Sequence, residues 1–243
     1  MSRLGSRPRV PLWHTAVLIL VVLGFSALSY LTTLRPSRGG RGAKAAAGHP
    51  GAMLATYLAT ALFEWLIFAF TFWGDRRYLG ARIRDRIRGR WANAAEFWRD
   101  VAIALGLWVA LSSVGALAQF LHPSGAKVVE QLLPRSPGEM LLWVFLAASA
   151  GFCEEYVFRG YLQQQALALT GSAWAAIVAQ AAVFGFGHGY QGGVLMAVIF
   201  IYGLGFGAVA QWRKSLRPGM LGHGWIDFFS GLLGFVEHLR HRL

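Results

Sequence analysis

The chain has 243 residues, of which 56% are hydrophobic and only 14% are charged. A soluble domain normally carries about a quarter charged residues, so this composition excludes an ordinary soluble protein and indicates several membrane spans. The formal net charge of +12 would suggest nucleic acid as the partner of a soluble protein. Here the basic residues lie between apolar segments and orient them in a bilayer, so we expect a lipid bilayer and no nucleic acid as partner.

The single cysteine, Cys153, limits the chemistry further. One cysteine excludes an internal disulfide and any zinc site built from several cysteines. An isolated thiol in apolar sequence is more often a small hydrophobic side chain than a nucleophile. We therefore expect Cys153 to pack in the core rather than to react.

The first half of the sequence predicts three membrane spans, over residues 12–34, 53–73 and 101–121. The first apolar segment continues for about 20 residues, which favours a membrane span over the shorter core of a cleavable signal peptide. Eight arginines lie in the basic segment, residues 75–100, where Leu79, Ile83 and Ile87 recur every four residues. This spacing fits a basic amphipathic helix on anionic headgroups, and a solvated loop explains the same residues equally well.

The second half predicts a long helix over residues 139–169, followed by spans over residues 172–188, 194–212 and 219–239. The fold class is therefore all-α, a polytopic transmembrane helical bundle with about seven spans, in a range of six to eight. The larger share of the 23 Lys and Arg residues falls on the side of the N-terminus. The positive-inside rule then predicts an integral protein of the plasma (inner) membrane with a cytoplasmic N-terminus.

Two adjacent acids and an arginine interrupt the long apolar helix. In an α-helix Glu155 and Arg159 are four residues apart with the acid first, which is the favourable order for an ion pair. Glu154 lies about 100° away around the helix, beside small residues such as Gly151. We interpret Glu155–Arg159 as a structural pair and Glu154 as the working base.

Two further polar clusters lie inside predicted spans, and we predict that the spans hold no other ionisable residues. His188 follows Phe184 by four residues, and Asp227 follows His223 by four residues. Each cluster alone has a structural explanation, such as an inter-helix ion pair, an interfacial histidine or a hydrogen bond within one span. Because ionisable groups are costly in a membrane, their joint occurrence favours a shared functional site.

Helix lengths test whether these clusters meet. Glu154 and His188 each lie about 17 residues from the turn near Gly171, so antiparallel helices bring both to a depth of roughly 25 Å. His223 fits less well, since it lies about five residues after the basic turn at residues 213–218. We expect that turn on the same side as Gly171, and a long, tilted fourth helix that projects into the cytoplasm would reconcile the two depths.

The three clusters resemble the three motifs of the CPBP family of intramembrane proteases. This family includes the type II CAAX prenyl endopeptidases and the bacterial abortive-infection and bacteriocin self-immunity proteins. The residues that carry the resemblance are Glu154, Glu155, Arg159, Phe184, His188, His223 and Asp227. The resemblance divides the chain into a three-span region, residues 1–138, and a CPBP-like catalytic region, residues 139–243.

The resemblance implies hydrolysis of a peptide bond in a membrane-associated or prenylated (lipidated) protein. Glu154 would be the general base that takes a proton from water, and His188 would orient that water. His223 and Asp227 would stabilise the oxyanion. In supporting roles, Arg159 would hold Glu155 ionised, and Phe184 belongs to the same motif as His188.

An alternative mechanism uses Glu154, His188 and His223 as ligands of a catalytic zinc ion, with an open position for water. The soluble zinc-protease pattern His-Glu-x-x-His is absent, and we favour a metal-free glutamate mechanism. Two other functions use the same residue types. One is a membrane transporter or proton relay, and the other is a non-catalytic immunity or scaffold protein.

Overall fold

The structure is a computed structural model that describes residues 10–34, 52–88 and 90–241, and these residues form helices and turns without a strand. The first half of the chain forms three long helices and one short helix: α1 (Leu12–Leu34), α2 (Ala52–Leu79), α3 (Ile83–Ile87) and α4 (Ala94–Leu121). They are followed by α5 (Pro123–Leu132), α6 (Pro137–Glu154), a π-helix (Glu155–Leu162) and α7 (Gln163–Thr170). The chain continues through α8 (Ala173–Gly187), a 3₁₀ turn (Gly189–Gln191), α9 (Gly193–Arg213) and α10 (Arg217–Arg240).

The predicted polytopic all-α bundle is confirmed, and a helix covers each of the seven predicted spans. By length and composition, five helices can cross a membrane: α1, α2, α4, the continuous helix Pro137–Thr170 and α9. α8 is apolar but has only 15 residues, about three quarters of the roughly 20 residues that a 30 Å hydrocarbon core requires. The chain is therefore a multi-span membrane protein whose shorter helix α8 lies between longer neighbours.

Local sequence explains where the central helices begin and end. Ser136 accepts a hydrogen bond from the backbone N–H of Glu139, and Pro137 occupies the first turn, as is common at helix N-termini. Ser172 caps α8 in the same way, through the N–H of Ala175. Gly171 separates α7 from α8 at φ +66°, a left-handed conformation that glycine adopts without strain.

The basic segment contains the end of α2, the short helix α3 and the start of α4, with turns between them. Contact of part of it with anionic headgroups stays a prediction, but a solvated loop does not describe Arg86, which is buried where it donates to Asp75, with Nε 2.8 Å from Oδ2. Burial opposes the charge of Arg86, but the hydrogen bonds to Asp75 outweigh this effect, so the pKa of the guanidinium lies above its ordinary value. Asp75 is one of two buried acids, with Asp100, that hold the basic segment in place by binding its arginines or those of the basic turn.

The second of these acids, Asp100, joins the basic segment to the basic turn. Arg213 and Arg217 contact its carboxylate at 2.9 and 3.0 Å. In addition, the Ser215 hydroxyl donates to the Ile87 carbonyl at 3.1 Å. The two segments therefore lie at one end of the bundle, as the predicted topology requires. The orientation of that end toward the cytoplasm stays a prediction.

The helices before residue 138 contact the helix that carries the first motif. The Tyr156 hydroxyl donates to Asp75 at 2.9 Å. Tyr161 hydrogen-bonds Nδ1 of the buried His14 at 2.7 Å, and the other ring nitrogen of His14 donates to the Phe70 carbonyl at 3.1 Å. α1 and α2 are thus attached to the π-helix by buried hydrogen bonds, while the division of the chain at residue 138 stays a prediction.

Candidate active site

The first motif lies where α6 changes into a π-helix. All eight residues of Glu155–Leu162 are buried. The interpretation of this stretch as a regular α-helix is therefore wrong from Glu155 onward. π-Helical turns have i→i+5 hydrogen bonds, are rare and occur frequently at functional sites. The wider turn of a π-helix changes which side chains share a face, so the α-helical spacing of four residues does not describe the positions of the side chains after Glu155.

Glu155 and Arg159 form the predicted contact in the interior of the bundle. Arg159 Nη1 lies 2.9 Å from Glu155 Oε1, without the alignment of a hydrogen bond, and both side chains are 0% exposed. The guanidinium also lies over the rings of Phe184 and Phe206, 4.3 and 5.1 Å from their centroids. Cation–π contacts therefore supplement the ion pair around a charge that no water reaches.

His223 of α10 lies among three carboxylates. Its Nδ1 donates to Glu155 Oε1 at 3.2 Å. On the other side of the ring, Nε2 lies 3.5 Å from Glu154 Oε2 and 3.7 Å from Asp227 Oδ2. The structure therefore brings the first and third clusters together, with Glu155 holding one edge of the imidazole and Glu154 facing the other.

The depth of His223 is reconciled as a projecting fourth helix predicts, because the two turns do not lie at one level. A Cβ atom on Gly160 would meet Leu216 Cδ1 at 3.0 Å, so the start of α10 lies beside Gly160. That point is about ten residues, or about 15 Å, before the end of α7. His223 lies about six residues into α10 and Glu154 about six residues before Gly160, so the two meet at equal depth.

Glycine allows this meeting by letting α6 and α10 approach closely. A Cβ atom on Gly151 would lie 2.8 Å from the Met220 carbonyl oxygen and 2.9 Å from the Gly224 nitrogen. Both are backbone atoms, which cannot turn aside as the end of a side chain can. Small residues at helix contacts are typical of membrane proteins, and here the contact lies one turn from Glu154.

His188 lies just after α8, where the backbone leaves the helix. Its Nδ1 donates to the Phe184 carbonyl at 2.8 Å, and its ring meets the Phe184 ring edge-on at 4.9 Å. With Nδ1 used in this way, Nε2 is the nitrogen left for other partners. Phe184 therefore orients His188 and contacts Arg159, and so links the second cluster to the first.

Glu154 and His188 line one cavity between α1, α2, the start of the π-helix and the end of α8. The cavity has a volume of about 50 Å³, and its other polar side chains include Glu64 and Tyr190. One water molecule needs about 10–15 Å³ by this measure, so the cavity has room for water. The Glu154 side chain is 13% exposed and that of Glu155 is 0% exposed, so of the two adjacent acids Glu154 is the one at the cavity.

Glu64 is a site residue that sequence reasoning missed. The prediction that the spans hold no ionisable residues outside the three clusters is wrong, since Glu64 in α2 and His14 in α1 are both buried. The sequence contained the signal, because Glu64 is the single charged residue between residues 53 and 73. An isolated acid in a membrane span is by itself a hypothesis for a functional site.

The described residues contain no group of three or more His, Cys, Asp or Glu side chains arranged to hold a metal ion. Glu154 and His223 approach each other, but with His188 they do not form such a group, so no step below passes through zinc. Cys153 is fully buried among apolar side chains and is not among the cavity-lining residues. It packs as expected.

Comparison with known families identifies the part of the chain that carries this geometry. Residues 136–229 match the model of the Rce1-like family, described as type II CAAX prenyl endopeptidase Rce1-like. The resemblance to the CPBP family is confirmed. This Rce1-like region begins at the cap of α6, ends two residues after Asp227, and contains all seven motif residues. No curated protein and no solved structure matches the chain.

The Rce1-like region does not include every residue of the cavity. Glu64 and the apolar side chains of Val22, Phe25 and Phe63 come from α1 and α2 and lie before it. The candidate active site therefore has one wall inside the Rce1-like region and one wall outside it.

Proposed function

We propose that this protein is an intramembrane endopeptidase that hydrolyses a peptide bond of a membrane-associated or lipidated protein with water activated by Glu154. The Rce1-like match supports this activity at the level of the family. The observation that carries the assignment to Glu154 is its position. Its carboxylate lines a water-sized cavity with His188 and lies 3.5 Å from His223, inside an apolar helical bundle.

In the first step Glu154 takes a proton from a water molecule in the cavity, and the water oxygen attacks the scissile carbonyl carbon. A carboxylate in apolar surroundings suits this work as a general base. His188 holds the attacking water through Nε2, because its Nδ1 is occupied by the Phe184 carbonyl. The base and the water-orienting group thus come from different helices and meet at one cavity.

In the second step negative charge develops on the carbonyl oxygen. Nε2 of His223 faces the side of Glu154 and Asp227. Because Nδ1–H donates to Glu155, Nε2 carries a hydrogen in the protonated imidazolium, and this N–H donates to the oxyanion. Glu155 fixes the ring by accepting from Nδ1. The carbon–nitrogen bond then breaks, and the proton that Glu154 took from water passes to the amine nitrogen. One water is consumed, and the acid and amine products leave with Glu154 ionised again.

The cavity has room for water beside Glu154 and His188, and the proposed substrate is a peptide that reaches this cavity from the membrane. A farnesylated peptide with a CAAX-type C-terminus is the first substrate to test, and the same peptide without the lipid shows whether the lipid is required.

The test uses the full chain reconstituted in liposomes, with cleavage of the peptide followed by mass spectrometry. Glu154→Gln is expected to lower kcat by about 10²- to 10⁴-fold, the usual contribution of a general base. Glu139→Gln is the matched control, because Glu139 lies at the start of the same helix, where its carboxylate accepts from the Arg135 backbone N–H at 2.7 Å. The control is expected to keep wild-type activity, and both variants are expected to keep the wild-type thermal unfolding temperature.

Cleavage that is unchanged in Glu154→Gln would contradict the proposal. The wild type is also compared with Glu154→Gln for cleavage of native membrane proteins. If the wild type cleaves neither the peptides nor any native protein that Glu154→Gln leaves intact, a transporter or a non-catalytic partner is favoured. Elemental analysis of the active preparation, together with its response to chelators, decides between the metal-free and zinc mechanisms.

A further inference from the structure

Glu64 is an acid of α2 to which the mechanism above gives no role. Its side chain is 5% exposed, and among the described residues its Oε2 has no hydrogen-bond partner. A buried polar atom without a partner costs about 1–3 kcal/mol. An apolar side chain would remove this cost, so packing alone does not explain an acid at this position.

The surroundings of Glu64 show where its carboxyl can find a partner. Glu64 lines the cavity together with Glu154 and His188. The next residue, Trp65, donates from its indole N–H to the Ser149 hydroxyl of α6 at 3.1 Å. This hydrogen bond fixes α2 against α6, and Glu64 is thereby held at the wall of the cavity opposite the Rce1-like region.

We infer that Glu64 is a positioning residue of the candidate site, whose carboxyl holds the water of the cavity against Glu154. A water between these two acids, with His188 as a third partner, has the two to four polar partners that buried water requires. Water held from both walls is already placed for attack when a peptide enters, which lowers the entropic part of the barrier. The inference rests on the proposed function, because it assigns Glu64 a role in that same reaction.

The experiment compares three variants of the full chain in liposomes, with kcat, KM and thermal unfolding measured for each. Glu64→Leu removes the hydrogen-bonding group and keeps the bulk. Glu64→Gln keeps a group that can hold water. Thr71→Val is the matched control, since it removes a buried polar group of α2 that bonds only to the carbonyls of Ile67 and Phe68 in its own helix.

Glu64→Leu is expected to lower kcat about 100-fold, the usual effect of a misplaced reactant, with KM within about twofold of wild type. Glu64→Gln is expected to restore kcat to within about tenfold of wild type. The unfolding temperature of Glu64→Leu is expected to be at or above that of wild type, because an unpartnered buried acid is removed. Thr71→Val is expected to leave kcat unchanged.

Two results would overturn the positioning role and leave the proposed function intact. The first is cleavage by Glu64→Leu at the wild-type rate that still depends on Glu154. The second is a loss of kcat in Glu64→Leu that matches a loss of stability and that Glu64→Gln does not rescue. If Glu64→Leu does not fold, Glu64→Gln decides, and a stable Gln variant with full loss of kcat overturns the role of a water-holding group. Absence of any Glu154-dependent cleavage in wild type would overturn the proposed function, and this inference with it.

Discussion

The Rce1-like region and the two helices that open the chain contribute different interactions to the same cavity. Within the Rce1-like region, acids and an imidazole contact each other directly, as in the hydrogen bond from His223 to Glu155. α1 and α2 contribute apolar side chains, the unpartnered acid Glu64 and hydrogen bonds that hold the π-helix from outside, such as His14 to Tyr161. The motif residues of the candidate site thus come from one region, whereas the walls of its cavity come from both.

This difference predicts that interactions inside the Rce1-like region contribute more to the free energy of unfolding than those across its boundary. The reason is that a substitution inside the region leaves a buried charge without its partner, whereas one across the boundary removes a single hydrogen bond. A buried charge without its partner is strongly destabilising, whereas a hydrogen bond between membrane helices contributes about 0.6 kcal/mol on average. Three substitutions test this ranking, from the largest effect to the smallest.

Glu155→Ala is expected to have the largest effect, a loss of about 3–5 kcal/mol in the free energy of unfolding. It leaves the Arg159 guanidinium fully buried without its carboxylate, and it removes the acceptor of His223 Nδ1. Reversible unfolding in mixed detergent measures the change. The double variant Glu155→Leu/Arg159→Met replaces both charges with apolar groups and is expected to recover most of the stability. A single variant as stable as wild type would contradict the buried pair.

Gly151→Ala is expected to lower kcat about 100-fold, which corresponds to about 2.7 kcal/mol, because a shift of about 1 Å misplaces catalytic groups. The added Cβ would meet backbone atoms of Met220 and Gly224, so α10 has to move and take His223 with it. Gly138→Ala on the same helix is the control, since its Cβ would meet nothing within 4 Å. Equal activity of the two variants would show that the close contact of α6 and α10 does not set the site.

Tyr161→Phe is expected to have the smallest effect, a loss of about 0.6 kcal/mol and at most about 1.7 kcal/mol in the free energy of unfolding. It removes the hydroxyl that contacts His14 and Thr15 at 2.7 and 3.0 Å. Tyr78→Phe, at an exposed position, is the control. If Tyr161→Phe lowers kcat by more than its stability loss explains, α1 positions the catalytic helix as well as covering it.

The sequence predicted those features of the site that depend on helix periodicity and length. Apolar runs located every long helix, and equal distances from Gly171 predicted that Glu154 and His188 would share a depth. The π-helix was not predictable, because residues buried on all sides show the same apolar pattern in either helix type. The projecting fourth helix that reconciles the depth of His223 had no independent support in the sequence, because it depends on the packing of Leu216 beside Gly160.

The polar residues of α1 and α2 were missed for a different reason. Glu64 and His14 lie singly in apolar sequence, without a partner four residues away to form a motif. The partner of His14 is on another helix, since Tyr161 is 147 residues away, and Oε2 of Glu64 has no hydrogen-bond partner among the described residues. Isolated polar residues therefore give a weaker signal than paired ones, although the cost of placing them in a membrane is similar.

The hydrogen bond between His223 and Glu155 also bears on biosynthesis. α10 follows every other described helix in the chain, and synthesis delivers helices to the membrane in that order. While the earlier spans are already inserted, Glu155 and Glu154 still lack the imidazole that faces them. The candidate site is therefore assembled only once α10 has docked, so that Glu154, Glu155 and His223 do not meet until the last described helix is in place.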